Sequence, residues 1–331
     1  RFIDIDRTLK VIEENKDIIC GIKVRASGVI VGSWGITPVQ IARKVAEIAK
    51  LPMMVHIGEP PPTLNQIFDL LRPGDVVTHC FNGKNPGSIS DSPQIFANAK
   101  RLAEEGVFMD VGHGAASYNF EVAKEAIHNG LKPYSISTDL HGWNLHGPVY
   151  DLATTVSKLY AAGLSLEECV DAISYNPRNF LSLENAASLS VGSKADFTIF
   201  DIDDCDELVS DSQGNNITLK SAFEPKMVIS GAKIFMADFE DASSPTFSNM
   251  MNGQLNMYDY AREKLTLKTD KKSYELNSST STMLVRPRGW HLEEANITVD
   301  GRPMSASLVD FGLHIFHFFI NVFLTFFFPP L

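Results

Sequence analysis

Basic residues are in short supply. Lysine and arginine number 29 against 40 aspartates and glutamates, for a formal net charge of −11, and no stretch gathers them into a stripe. Surfaces that bind nucleic acid are basic, so no nucleic-acid partner is expected. Cysteine is scarcer still: Cys20, Cys80, Cys169 and Cys205 are scattered, with no C-x-x-C pair. A reducing, cytoplasmic compartment is therefore the expectation. Internal repeats are missing. The opening Arg1-Phe2-Ile3-Asp4 carries no hydrophobic region of a signal peptide, and the absent initiator methionine suggests a fragment or a processed product. One long apolar run occurs, from Ile315 to Leu331, rich in phenylalanine. It falls a little short of the roughly 20 apolar residues of a membrane span, lacks flanking positive charge and ends in prolines. Residues 318–331 are thus expected to be a tail outside any native domain, and no membrane partner is expected.

From residue 18 to about 180, strand-like runs alternate with helix-like segments, as in a parallel α/β architecture. Thr37 can cap a helix with Pro38 at its first position. Ser92-Pro93 opens a second helix that Gly106 can close, and residues 119–127 give a third with Gly130 beyond it. Residues 150–162 give a fourth, stopped by Gly163, and Ser165 caps another. Strands are predicted at 18–25, 53–58, 76–80, 107–112 and 134–139. Those are five where a closed (β/α)₈ TIM barrel has eight, so the expectation is an incomplete barrel over 1–185. Residues 186–230 read as a small β-rich appendage, in which 189–201 is a turn followed by an alternating strand. Residues 265–285 look like β-hairpin material, with Leu265-Thr266-Leu267 and Met283-Leu284-Val285.

Lys23, His56, His79 and Asp139 each end a short apolar run. Taken singly, each has a structural explanation: a histidine that satisfies its strand end, a lysine that snorkels to water, an aspartate in a turn. Four compatible donors at the ends of successive strands instead have the layout of a barrel active site. Two histidines and a carboxylate suit zinc or a similar divalent ion. A lysine joins such a set when its amine takes up carbon dioxide and becomes an anionic carbamate.

On these segments residues 1–230 resemble the amidohydrolase superfamily, most of all its dihydroorotase-like amidohydrolase/deacetylase group. Gly21-Ile22-Lys23-Val24-Arg25 resembles the strand-4 segment whose lysine is carboxylated. Val55-His56-Ile57-Gly58 and Thr78-His79-Cys80-Phe81 resemble the strand-5 and strand-6 ligand segments, and Ser137-Thr138-Asp139-Leu140-His141 resembles strand 8. Asn176-Pro177 and Gly192-Ser193-Lys194-Ala195-Asp196 resemble the helix and β-sandwich segments that end these chains. The resemblance implies a barrel represented by strands 4–8, a β-sandwich appendage over 186–230, and binuclear Zn²⁺. It implies hydrolysis of an amide, cyclic imide or ester of a small acid, with Lys23, His56, His79 and Asp139 as ligands and Asp139 also moving protons. His113, at the strand-7 end, is a candidate substrate contact, with a structural role equally open; His141 and His146 are loop residues first. The family opens its barrel with a His-x-His pair, and no His-x-His occurs here. The expectation is an impaired binuclear site. Homo-oligomerisation is compatible with the sequence.

Residues 234–317 resemble malate synthase instead. The matching words are Ile234-Phe235-Met236-Ala237-Asp238-Phe239-Glu240-Asp241, Gly253-Gln254-Leu255-Asn256, Arg286-Pro287-Arg288-Gly289-Trp290-His291-Leu292 and the run from Asp300 to Gly312. That resemblance implies Mg²⁺-dependent condensation of glyoxylate with acetyl-CoA, Arg286 acting on glyoxylate. Asp238, Glu240 and Asp241 are expected to hold structure. The third expectation is an inactive truncated fusion.

Overall fold

The computed structural model describes residues 3–183, 189–193 and 195–230 in full, and beyond them the backbone of six short strands between 233 and 303. Four parallel strands, β1 (Ile22–Ala26), β2 (Met53–Ile57), β3 (Val76–Thr78) and β4 (Phe108–Asp110), lie side by side in chain order. Every residue of β2 and β3 is buried, which is why both read as unbroken apolar runs rather than as alternation. Helix α1 (Ile5–Glu14) precedes β1, and α2 (Gly28–Val31), a 3₁₀ turn (Gly32–Trp34) and α3 (Thr37–Ala49) follow it. Helices α4 (Leu64–Phe68) and α5 (Pro93–Glu104) join β2 to β3 and β3 to β4. Then come α6 (Phe120–His128), α7 (Leu152–Ala161), α8 (Leu166–Ile173) and α9 (Tyr175–Phe180). One hydrophobic cluster, with Val55, Ile57, Phe81, Val111 and Leu159 among its members, joins strands to helices. The architecture is a TIM-barrel-like α/β fold.

Local chemistry sets the helix starts. Ser92 Oγ accepts Ile95 N at 3.2 Å, Asn119 Oδ1 accepts Val122 N at 3.0 Å, and Ser165 with Glu168 forms a reciprocal capping box. Two starts differ from the prediction. Ile36, not Thr37, occupies the cap of α3, where Pro38 pre-sets the first turn and removes one orphan N–H. Helix α7 begins two residues late, because Tyr150 is left-handed (φ 65) and Asp151 takes the cap through Thr154 N at 2.6 Å.

The fifth predicted strand, 134–139, forms a single parallel bridge, Asp110 to Ser135. It nevertheless runs alongside the extension of β4, since Val111, His113 and Gly114 donate their N–H groups to Ser135, Ser137 and Thr138 carbonyls at 2.9–3.1 Å. Gly112 (φ +47) and Gly114 (φ +57) break the pleat, which prevents a regular ladder.

Past the helices, β5 (Asp196–Ser210) and β6 (Asn216–Ser230) form a long antiparallel hairpin, with β7 (Lys233–Met236) on the far edge of β6. Val209, Leu219 and Phe223 of the hairpin belong to the same core cluster as the barrel strands. Phe223 N donates to Ser157 Oγ of α7 at 2.9 Å. The hairpin tip is fastened too: buried Asp211 accepts Phe120 N at 3.2 Å, and Gln213 Nε2 donates to Gly83 O at 2.6 Å. A further sheet has the order β10 (Ser273–Asn277), β9 (Lys264–Thr269), β8 (Gly253–Met257), β11 (Thr298–Val299), β12 (Arg302–Pro303). Its β9 contains the strand expected at Leu265-Thr266-Leu267, whose hairpin partner is 273–277. The expected strand at Met283-Leu284-Val285, the acids Asp238, Glu240 and Asp241, Arg286 and the tail 318–331 lie outside the described residues. Among the described residues, no helix is long and apolar enough to cross a membrane.

At the amino ends of the strands, buried Asp75 ties three segments together. It accepts Arg43 Nη1 and Nη2 at 2.8 and 3.1 Å, Met53 N at 2.8 Å and Arg72 N at 2.8 Å. Removing one partner of a buried ion pair leaves the other charge uncompensated. Asp75→Ala is expected to cost about 3–5 kcal/mol in equilibrium urea unfolding. A change under about 1 kcal/mol, the range of exposed pairs, would contradict this.

Candidate active site

Parallel neighbours bring the carboxyl ends of β1 to β4 to one edge. The register sets Lys23 beside Met54, Arg25 beside His56, His56 beside Thr78, and Thr78 beside Asp110. His79 follows Thr78 directly, so strand alternation would send the two side chains to opposite faces. His79 is left-handed (φ 68) instead, a conformation histidine adopts more readily than most residues. Its ring thereby reaches His56, at a centroid distance of 4.1 Å in edge-to-face geometry. Its Nε2 lies 4.0 Å from Asp139 Oδ2.

The tautomer of His79 follows from its surroundings. Nδ1 meets the Gly112 carbonyl at 2.5 Å, and an oxygen acceptor there requires Nδ1 to carry the proton. That leaves Nε2 with a free lone pair. Both His79 Nε2 and His56 Nε2 are buried without a hydrogen-bond partner among the described residues. Burial holds both imidazoles neutral, His79 down to about 4 despite the opposing attraction of Asp139, and His56 well below the usual range. The half-buried Lys23 is also lowered, mainly by burial, against the pull of Asp139 and Asp110. Asp139, left-handed at φ 47, keeps its side chain 34% exposed. The structure thus brings His56, His79 and Asp139 together and sets Lys23 within their electrostatic reach.

Behind this group sits Asp110, 1% exposed, at the end of β4. It accepts Thr78 Oγ1 at 2.6 Å, Ser135 Oγ at 2.7 Å and Ser137 Oγ at 2.8 Å, while Ser137 Oγ accepts Gly112 N at 3.1 Å. Burial raises its carboxyl, and the three hydroxyls and Lys23 oppose that rise. One carboxylate therefore straps the segment carrying His79 to the segment carrying Asp139. The serines at alternate positions, 135 and 137, inside an otherwise apolar run are the signal that could have revealed it.

His113 is fully buried and stacks on Tyr118 at 4.6 Å. Lys158 Nζ lies 3.0 Å from its Nε2, and Gly114 O lies 3.0 Å from its Nδ1, so both ring nitrogens are engaged. His141 and His146 lie on the loop after Asp139, where His141 Nδ1 accepts Trp143 N at 3.2 Å. Asn144 closes that loop by donating to Asp139 O at 2.9 Å and accepting His141 N at 2.8 Å. Arg286 lies outside the described residues.

Among the described residues, no three His, Cys, Asp or Glu side chains already close into a group that holds a metal ion. The donors approach in pairs. Their chemistry fits a divalent cation: two buried imidazole nitrogens lacking partners, held neutral, beside a carboxylate oxygen.

Two predictions follow the geometry. A Cβ at Gly112 would collide with Thr78 Oγ1 and stand 2.9 Å from His79 Nδ1, at a left-handed φ. Gly112→Ala is expected to weaken zinc binding about 10–100-fold, as loss of an outer contact to a ligating histidine does, read by competition with a chromogenic chelator. Unchanged affinity would contradict the role of the Gly112 carbonyl. The second concerns acid. His79 is neutral in the fold down to about 4 but titrates near 6.5 when unfolded, so the unfolded chain binds the extra proton between those values. Stability of the metal-free chain is expected to fall by about 3 kcal/mol from pH 6.5 to 4 on account of this group. His79→Gln is expected to flatten that slope in urea titrations across the window; an unaltered slope would count against it.

Comparison with known proteins matches two separate stretches of the chain. The amidohydrolase family model matches residues 89–235, and that of the malate synthase TIM barrel domain matches residues 282–324. A deacetylase of Agrobacterium fabrum is 50% identical over 235 residues, 71% of this chain and 58% of that protein. A solved dihydroorotase structure superposes with a TM-score of 0.69 at 49% identity, covering 71% of this chain and 62% of the other. A malate synthase of Myxococcus xanthus is 46% identical over 115 residues, 33% of this chain and 21% of that protein. The chain thus spans under two thirds of the length of the deacetylases it matches. Residues 1–230 resemble the amidohydrolase superfamily, with a solved dihydroorotase sharing their fold, and residues 234–317 resemble a part of malate synthase.

Proposed function

We propose that the segment up to residue 230 serves a metal-dependent hydrolysis of an amide, cyclic imide or ester of a small acid. The observation that carries this reading is the pair of orphaned imidazole nitrogens, His56 Nε2 and His79 Nε2, buried beside Asp139. His56, His79 and Asp139 would hold the cation, with zinc the reading that their nitrogen and oxygen donors favour. Such a cation supplies Lewis acidity toward a carbonyl oxygen and acidifies water.

The chain's own residues supply the rest. The Asp139 carboxylate, whose side chain is 34% exposed, takes a proton from the attacking water and returns it to the leaving nitrogen or oxygen. Gly112 O keeps His79 in the tautomer that presents Nε2 inward. Lys23 is the carbamate candidate: lowering its pKa raises the share of neutral amine, the form that attacks carbon dioxide. In that step an Nζ–C bond forms and one Nζ proton leaves. The resulting anion would add an oxygen donor to the three side chains, which as they stand suffice for one cation with an open position.

The boundaries proposed are a barrel segment to residue 185, the hairpin appendage to 230, the malate-synthase-like segment to 317 and the tail 318–331. A second reading, favoured by the matched words and the 46% identity over 115 residues, is a malate synthase segment using Mg²⁺, with Arg286 toward glyoxylate. Thiol release from acetyl-CoA that requires glyoxylate would select it.

Hydrolysis tests the first reading. The purified full chain, supplied with Zn²⁺, is expected to release acetate from an N-acetyl amino acid and to stop on chelation. Asp139→Asn is expected to lower the rate by about 10²–10⁴-fold with the circular dichroism unchanged. Hydrolysis that survives both chelation and Asp139→Asn would overturn the assignment.

A further inference from the structure

Lys158 of α7 has no solvent exposure, although lysine is almost never fully buried. No carboxylate among the described residues forms an ion pair with it; Asp151 and Asp211 act on it only from a distance. Its ammonium has three donors, and three acceptors surround it. They are His113 Nε2 at 3.0 Å, Ser210 O at 2.8 Å and Pro148 O. The Tyr150 ring lies 5.8 Å away on a further side. Burying a charge this completely is costly unless each of its donors is satisfied, so an ammonium here must answer a structural demand.

The three acceptors come from three separate segments, and each leads to the candidate site. His113 sits between Gly112, whose carbonyl holds His79 Nδ1, and Gly114, whose N–H donates to Thr138 O immediately before Asp139. Pro148 stands near the far end of the loop that Asp139 begins. Ser210 ends β5, two residues before Ser212, whose hydroxyl donates to Gly114 O at 2.8 Å. We propose that Lys158 is a positioning residue: its ammonium fixes the His113 tautomer and pins both chain segments that flank His79 and Asp139. An N–H donor on His113 Nε2 obliges that nitrogen to be bare and the ring proton to sit on Nδ1, toward Gly114 O. His113 in this arrangement braces the Gly112–Gly114 turn and offers no nitrogen to a substrate. Burial lowers Lys158 to about 7 against the distant pull of Asp151 and Asp211, in keeping with a cation whose hydrogen-bond partners among the described residues are three neutral acceptors.

The proposal deepens the hydrolase reading, because the residues positioned are the ones to which that reading gives chemistry. Its test does not depend on turnover. Two-bond ¹⁵N–¹H spectra of the full chain labelled with ¹⁵N-histidine report which ring nitrogen carries the proton. At pH 6.5 His113 is expected with Nδ1 protonated and Nε2 bare. In Lys158→Met that preference is expected to be lost, and the His79 ring signals are expected to shift although Lys158 does not touch His79. A His113 protonated on Nε2 in the unaltered chain would overturn the proposal. So would a folded Lys158→Met in which His79 is unmoved. Should Lys158→Met fail to fold, Lys158→Gln, which keeps a donor but no charge, takes its place with the same two outcomes. A chain that hydrolyses nothing but gives the expected spectra would refute the hydrolase reading alone.

Discussion

The carboxylate of Asp110 is the constraint on which the arrangement of the site depends. Parallel strands deliver their carboxyl ends to a common edge, but they do not fix which way the residues just beyond them turn. Asp110 fixes it by taking hydrogen bonds from Thr78, Ser135 and Ser137. The chain on either side can then leave the sheet at sharp, left-handed residues, His79 and Asp139, and still return both side chains to one place. Strain of this kind persists only where the surroundings over-determine it. Here three short bonds to one buried group do so, reinforced by the backbone contacts of Gly112 and Gly114.

Low dielectric surroundings then decide the state of the donors. Two imidazoles in edge-to-face contact cannot both be charged at little cost, and burial removes the water that would screen them. Both are driven neutral, which is the form that offers a lone pair. Hydrogen-bonding capacity is spent on orientation at Nδ1 of His79, leaving Nε2 unsatisfied. A buried polar atom without a partner is uncommon in native proteins and invites an explanation. A cation placed between the orphaned nitrogens and the Asp139 carboxylate is the explanation that fits this donor chemistry.

Much of this was legible in the residues. The apolar runs closing on His56 and His79 mark the ends of β2 and β3, whereas Lys23 is the second residue of β1 and Asp139 follows a segment with one bridge; Ser92, Asn119 and Ser165 marked helix starts that their caps bear out. What escaped were features that depend on contacts distant in sequence. Asp110 reads as one more acid in a strand, and only its meeting with Thr78, Ser135 and Ser137 makes it a strap. Lys158 reads as an ordinary charge on an amphipathic helix; its burial appears only once the β5–β6 hairpin lies against α7. The segment 134–139 has the composition of a strand, yet glycines in the neighbouring segment, at 112 and 114, deny it a regular ladder. Periodicity sees one segment at a time, whereas these outcomes belong to pairs of segments.

His56 and His79 are proposed to present Nε2 to a shared cation beside Asp139. A crystal of the full chain grown with zinc, with anomalous maps collected on both sides of the zinc edge, tests it most directly. A zinc peak is expected with Nε2 of both histidines at about 2.0–2.1 Å and a carboxylate oxygen of Asp139 at about 2.0–2.2 Å. Zinc bound only elsewhere, or histidines that meet it through Nδ1, would rule out this shared site.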